Sequence, residues 1–504
     1  SLTSGAQTTN QGVIDVPDAN RTKPNPESNH QRYLLAKMEK QLSGYQNIVL
    51  TLEDVSKYRK TNLYSARTST IFDHQANDQL KRQRISIDMT TKKSIFGFED
   101  ESSIKLWLQR ARVNQLSIED RLVDRSRDNN LSDNSVGINA NWVNYQDGKI
   151  SRKWTYGFDV QQSRITQAVN RSGDYNDVVK YFPDTHRNLT GLYTQLELDG
   201  RAYSLIPAIR FDRYQFKSSQ TGYALPVVNL SDSAISPSIS GIWKWRPLAK
   251  PYISWSKGFR APTQDQVNNG FSNLRHGYTS VGNQNLKSEK ANGLEVGIKG
   301  VFAQSRYTMS AYSNQYKDFI EQQIVGGTAR PNDPLIYQYI NRSKAKIQGL
   351  DVRLETLLNP YWTLTSGWVY SRGRTTSSDG QKQAIDTIQP MRASFGLSYQ
   401  RNTLQVATQW LHTWAKRSAD VGTVTDTQTR LQVPQFVAPS YSIVNLKAQW
   451  QSKKDLNISF GINNLFDKKY WRWSDVRGLE AASSVADAYT APGRNISLAL
   501  RYDL

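Results

Sequence analysis

Taken two residues at a time, the chain is striped. At the C-terminus Ile496, Leu498, Leu500, Tyr502 and Leu504 share one parity, while Ser497, Ala499, Arg501 and Asp503 share the other. Successive side chains of a β-strand point to opposite faces, so the stripe predicts a strand with one apolar and one polar face. It recurs throughout. Trp154, Tyr156, Phe158 and Val160 alternate with Thr155, Gly157, Asp159 and Gln161, and Val136, Ile138, Ala140 and Trp142 with Gly137, Asn139 and Asn141. Leu192, Thr194, Leu196 and Leu198 oppose Gln195, Glu197 and Asp199; Leu350, Val352 and Leu354 oppose Asp351, Arg353 and Glu355; Ala393, Phe395, Leu397 and Tyr399 oppose Ser394, Gly396 and Ser398. The polar faces carry charges and amides that a dry core would not accept unpaired, so they are wet or packed on polar groups.

About 19 such segments fit between Tyr33 and Leu504, and the connections between them alternate in length. Short ones include Ser43-Gly44, Asp199-Gly200, Ala303-Gln304 and Arg401-Asn402; long ones fall near 63–81, 166–189, 218–232, 261–286, 324–337, 376–390, 419–436 and 474–494. Short turns at one end and long loops at the other predict an all-β fold, a transmembrane antiparallel β-barrel in a bacterial outer membrane with the loops extracellular. A soluble sandwich also alternates, but its apolar face points inward and its strands do not recur this often. Thr91 to Ser102 is long for a turn on the short side, and the pattern gives no reason for it. Trp243, Trp245, Trp410, Trp414, Tyr470, Trp471 and Trp473 cluster near strand ends, where amphipathic rings favour the membrane boundary. Residues 1–29 read as an extracellular loop, and all of 1–504 as barrel. Single-chain barrels have even strand numbers, so an odd number of further strands is expected upstream.

Composition narrows the alternatives. No apolar run approaches the roughly 18 to 20 residues of a spanning helix; mean hydropathy is -0.64 and only 38% of residues are apolar. Disorder sits badly with 13 Trp, 26 Tyr and 15 Phe. There is no cysteine, hence no disulfide framework or thiolate metal site. The net charge of +20 is dispersed, with no basic helix or stripe of the kind that marks a nucleic-acid partner. It suits a solvated lumen, acidic lipid headgroups or an acidic ligand.

Three motifs carry a family resemblance. Asn463-Asn464-Leu465-Phe466-Asp467-Lys468-Lys469-Tyr470 closes the penultimate segment. Gly258-Phe259-Arg260-Ala261-Pro262 ends a strand and opens a long loop, and Asn283-Gln284-Asn285-Leu286-Lys287-Ser288-Glu289 closes that loop. The first resembles the penultimate-strand motif of TonB-dependent outer-membrane receptors. The other two resemble the paired boxes of the haem and haemoglobin receptors in that family, with both prolines of the second box replaced. The resemblance implies a barrel of about 22 strands with a plugged lumen. It also implies a plug, a TonB box and first strands absent from this chain. Further implications are energy from the TonB complex and haem, or a haem-carrying protein, as transported ligand, with no intrinsic cofactor. In the family a histidine between the boxes is associated with haem, which singles out His276; Arg275 and Tyr278 flank it. A siderophore receptor would share the architecture and differ in its loops. A passive channel or an adhesin is a reading from another class.

No chemistry beyond binding is apparent. The five histidines, His30, His74, His186, His276 and His412, form no pair at metal-ligand spacing. His412 alternates with Trp410 and Trp414 on the lipid face, and His74, His186 and His276 are expected in long loops. No nucleophile triad, P-loop or paired-carboxylate context stands out, so an enzyme is not expected.

Overall fold

A computed structural model describes residues 8–9, 12–13, 24–94, 97, 99–173, 176–273, 277–328, 332–376, 380–425 and 431–502. Among them nineteen long strands follow one another: β1 Glu27–Ser43, β2 Gln46–Asn62, β3 Asp73–Thr91, β4 Glu101–Asp120, β5 Arg125–Gln146, β6 Ser151–Ser172, β7 Thr185–Asp199, β8 Tyr203–Ser218, β9 Leu230–Trp243 and β10 Lys250–Arg260. The rest are β11 Glu289–Phe302, β12 Ser305–Gly326, β13 Leu335–Asn359, β14 Trp362–Thr376, β15 Arg392–Arg401, β16 Leu404–Thr413, β17 Tyr441–Lys453, β18 Leu456–Asn463 and β19 Asn495–Tyr502. Each pairs antiparallel with the next, and four short loop strands bring the sheet to 23. Residues 27–29, expected in a loop, are the first of β1.

Register explains the stripe. Trp362, Tyr399, Val406, Ala448, Phe460 and Leu498 lie opposite one another across six strands, forming one apolar row. Side chains of that parity are widely exposed, Leu498 at 67% and Leu350 at 53%, as a lipid-facing surface requires. The other face binds charge to charge. Arg210 bridges Asp159 (2.9 Å) and Asp212 (2.7 Å), and Arg82 meets Glu53 at 2.8 Å, Lys105 meets Asp88 at 2.9 Å and Arg306 meets Glu355 at 2.6 Å. Gly191 makes room for one of these: a Cβ there would lie 2.0 Å from the Arg210 guanidinium.

The turn at 92–100 is long because it is tied to its neighbours on both sides. Lys92 N–H donates to the Tyr45 carbonyl (2.9 Å), Asp100 N–H to the Val143 carbonyl (2.9 Å), and Asp100 Oδ2 accepts Tyr145 N–H (2.5 Å). At the ends of the sheet, β1 and β19 are exposed along their whole length. Among the described residues their pairings run only to β2 and β18. The three clusters of buried apolar side chains each include loop residues at the long-loop end.

Candidate functional site

The loop 261–288, between β10 and β11, is held at its base by the two sequence boxes. Arg260 and Glu289 face each other across the strand pair, and the guanidinium donates twice to the carboxylate, at 2.7 and 2.6 Å. Glu289, buried, also accepts the Ile320 N–H at 2.8 Å, locking β12 to the same point. Phe259 stacks on Tyr214 with ring centres 6.2 Å apart. The Tyr214 hydroxyl is hydrogen-bonded to that of Ser288 (2.8 Å), which donates to Asp232 (2.9 Å). Ala261 leads into Pro262, which is fully buried.

Beyond Pro262, Thr263 and Gln266 form a capping box that starts a single helical turn, Gln264–Val267. Val267 packs with Leu286 and Ile320. Asn283 donates to the Tyr339 carbonyl (2.7 Å) and accepts the Asn285 N–H (2.9 Å). Buried Asn268 brackets Val228, accepting its N–H (2.7 Å) and donating to its carbonyl (2.9 Å). The boxes that signal a ligand receptor in the sequence are therefore staples: Phe259, Arg260, Pro262, Asn283 and Leu286 fix the loop to the wall.

Toward its tip the loop forms a small hairpin, Ser272–Asn273 against Tyr278–Val281. Arg275 and His276 lie between those strands and outside the described residues. Tyr278 is described. Its strand runs parallel to the start of β13, and Gly277 accepts the Leu335 N–H at 2.7 Å. Its ring lies 5.8 Å from Phe271 and 6.3 Å from Tyr337, while Phe271 meets Tyr181 edge-on at 4.8 Å. Four partly exposed rings thus gather at this hairpin, Tyr181 from one loop, Phe271 and Tyr278 from the hairpin's own loop, and Tyr337 from the start of β13. Tyr223, from a further loop, donates to the Asn268 carbonyl at 2.7 Å, and burial pushes its phenol up to about 12. Tyr181 is shifted up by burial as well. Such a row offers flat apolar surface and phenol oxygens, the groups that take a planar conjugated ligand or its metal. The sequence named only Tyr278 of this group; Phe271 lies in the same loop, Tyr181 in another and Tyr337 at the start of β13, none within a local motif.

A second assembly joins the loops 377–391, 414–440 and 464–494. Asp386 is its hub. The carboxylate accepts Gly422 N–H (3.0 Å) and the Gln435 side-chain amide (2.8 Å), and its carbonyl accepts the Trp473 indole N–H. Trp473 packs with Ala438, Val476 and Leu479. The motif after β18 is a braced turn: Asn464, buried, adopts φ 51° and hydrogen-bonds Lys468 through both side-chain ends at 2.9 Å. Leu465 N–H reaches the Val444 carbonyl (2.7 Å), and Asp467 accepts Arg494 N–H (2.7 Å). Phe466 is left 74% exposed.

The remaining histidines divide. His412 lies between Trp410 (5.8 Å) and Trp414 (4.4 Å), as its alternation predicts. His74 and His186, expected in loops, are instead the second residues of β3 and β7, because these strands extend beyond the apolar band. His74 shares a 2.7 Å hydrogen bond with Ser117. Among the described residues no three histidines or carboxylates gather to hold a metal.

Residues 6–465 match the family described as TonB dependent receptor-like, beta-barrel. Among curated proteins, the chain is 23% identical over 276 residues to the probable hemoglobin and hemoglobin-haptoglobin-binding protein 4 of Haemophilus influenzae. That match covers 49% of this chain and 27% of that protein. It is 24% identical over 291 residues to the hemoglobin-haptoglobin utilization protein B of Neisseria meningitidis serogroup C, covering 51% and 36%. The chain thus spans about a third of these relatives' length or less. Among solved structures, the Serratia marcescens hemophore receptor HasR, in complex with its hemophore HasA and heme, superposes with TM-score 0.69 at 13% identity, over 94% of this chain and 71% of that one. The Pseudomonas aeruginosa receptor FpvA, bound to a pyoverdine-iron complex, gives 0.70 at 14%, over 95% and 66%.

Proposed function

Since the chain belongs to the TonB-dependent receptors, we propose that it forms most of the wall of an outer-membrane receptor that binds haem, or a haem-carrying protein, at its long loops and imports haem or its iron with energy from the TonB complex. The long-loop end then faces the outside. The observation that supports this cargo is the row of rings Tyr181, Phe271, Tyr278 and Tyr337 around the hairpin that carries Arg275 and His276. A neutral imidazole or a phenolate is a suitable axial ligand for haem iron, and arginine suits a carboxylate. The names of the hemoglobin-binding relatives favour the same reading. Among the described residues the outer edges of β1 and β19 pair with no strand, which favours further strands between them.

The test uses the full-length receptor in cells that lack other haem routes. His276→Ala and Tyr278→Ala, made singly and together, are expected to abolish growth on haem as sole iron source while surface levels stay normal. Growth of the double variant at the parental rate removes both residues from the site. If the unchanged receptor binds neither haem nor a haem protein but takes up a ferric siderophore, the cargo assignment fails.

A further inference from the structure

On the lipid-facing parity of β11, β12 and β13, three lysines stand abreast. Lys290 is directly opposite Lys317, and Lys317 directly opposite Lys344. Adjacent strands lie about 4.8 Å apart, so three ammonium groups share a span of about 10 Å. Like charges directly opposite on a sheet destabilise it. Lys346 adds a fourth charge one row nearer the membrane, opposite Gln315, and Lys257 on β10 a fifth, opposite Asn292. All five are exposed, and among the described residues none forms an ion pair. Elsewhere in the wall the protein answers its own charge, as at Arg210 and Arg82. Here it does not. Outward positions from Lys290 to Ile298, Met309 to Lys317 and Lys344 to Val352 hold no carboxylate. Of the neighbouring carboxylates that do not share this face, Glu289 is held by Arg260, Glu295 by Tyr252 and Asp351 by Arg353, and Asp318, the residue after Lys317, forms no ion pair with any of the five lysines among the described residues.

Placement identifies the missing partner. On the same face and the same strands, toward the short-turn end, follow Leu294, Val296 and Ile298, then Ala311 and Met309, then Leu350 and Val352. Leu294 lies four positions beyond Lys290, and Leu350 four beyond Lys346. That is about 13 Å of strand, within which a lysine stem can lie along apolar surface and present its ammonium at the headgroup level. An anion arriving there must already stand in the membrane plane, with acyl chains against the apolar band below. We infer that the lysine row of β11, β12 and β13 is a docking site for the phosphate groups of an acidic outer-leaflet lipid. A multiply charged headgroup is the species that lowers the repulsion among three lysines at once.

Binding of fluorescent lipopolysaccharide to the full-length receptor in neutral detergent, without haem, tests this independently of the cargo. Replacing Lys290, Lys317 and Lys344 by Gln is expected to weaken binding about five-fold per residue, hence about a hundred-fold together. Replacement of all three by Arg is expected to preserve binding, and heat-modifiability on gels verifies that each variant is folded. A Gln triple variant that binds like the parent overturns the site. So does equal binding of enzymatically dephosphorylated lipopolysaccharide. If inorganic phosphate alone displaces the lipid at matched phosphate concentration, the row takes free anions and the lipid assignment fails.

Discussion

The wall and the loop assemblies are held by different forces. In the wall, apolar side chains such as Leu498 and Leu500 are 67% exposed, and order comes from the strand ladder and from ion pairs on the polar face. In the loops, Trp473 and Val267 are 2% and 0% exposed and pack in small cores. Backbone groups of strands in a bilayer have only the ladder to neighbouring strands to satisfy them, so the wall needs register more than packing. A loop outside the bilayer has water on every side and must bury its own apolar surface to keep one shape. The difference teaches where substitution will be felt: truncation should be mild on the lipid face and severe in the loops.

The largest effect is expected at Trp473. Trp473→Ala empties the core shared with Ala438, Val476 and Leu479 and removes the indole bond to Asp386. A loss of about 3–5 kcal/mol in the local stability of that assembly is expected. Limited proteolysis in detergent should then cut within 414–440 and 464–494 while the wall keeps its heat-modifiable mobility. Leu500→Ala should leave both measurements at parental values, and equal sensitivity of the two variants would erase the distinction between wall and loops. Next in size is Glu289→Gln, which weakens the charged pair with Arg260 and the hold on Ile320. Because Arg260 is half exposed, solvent screening limits the loss, and roughly 1–2 kcal/mol is expected. It should appear as faster cleavage in 261–288, and unchanged cleavage there would mean that the boxes do not staple the loop.

The wall was legible in the sequence because each of its residues is determined by parity. About nineteen stripes anticipated nineteen long strands, and the alternation of short and long connections carried over, with the ends of 92–100 tied to Tyr45 and to the end of β5, residues distant in sequence. Parity gave no warning where strands run on past the apolar band. Hence His74 and His186 were expected in loops. The loop assemblies were legible only as boxes. Arg260 with Glu289, and Asn283 with Tyr339, are local motifs whose partners become visible only when strands pair. The rings of Tyr181, Phe271 and Tyr337 beside Tyr278 had no signal at all, since two loops and the start of β13 meet there through tertiary packing.

The smallest effect sharpens the same contrast through pH. The buried Tyr223 phenol donates to Asn268 and is raised by burial to about 12, whereas in an opened loop it ionises near its ordinary 10. The closed loop therefore holds the proton more tightly. Its contribution is complete below pH 10 and is lost as pH rises from 10 through about 12, because the open form ionises first. Tyr181 shifts in the same direction and adds to the trend. Protease sensitivity of the loops 219–229 and 261–288 should rise across that window while the strand ladder, which owes nothing to this phenol, keeps its circular dichroism. Tyr223→Phe should cost about 1 kcal/mol of loop stability at neutral pH, the value of one hydrogen bond, and should flatten the alkaline rise. A variant whose loops open with the parental pH profile would show that the transition belongs to other groups.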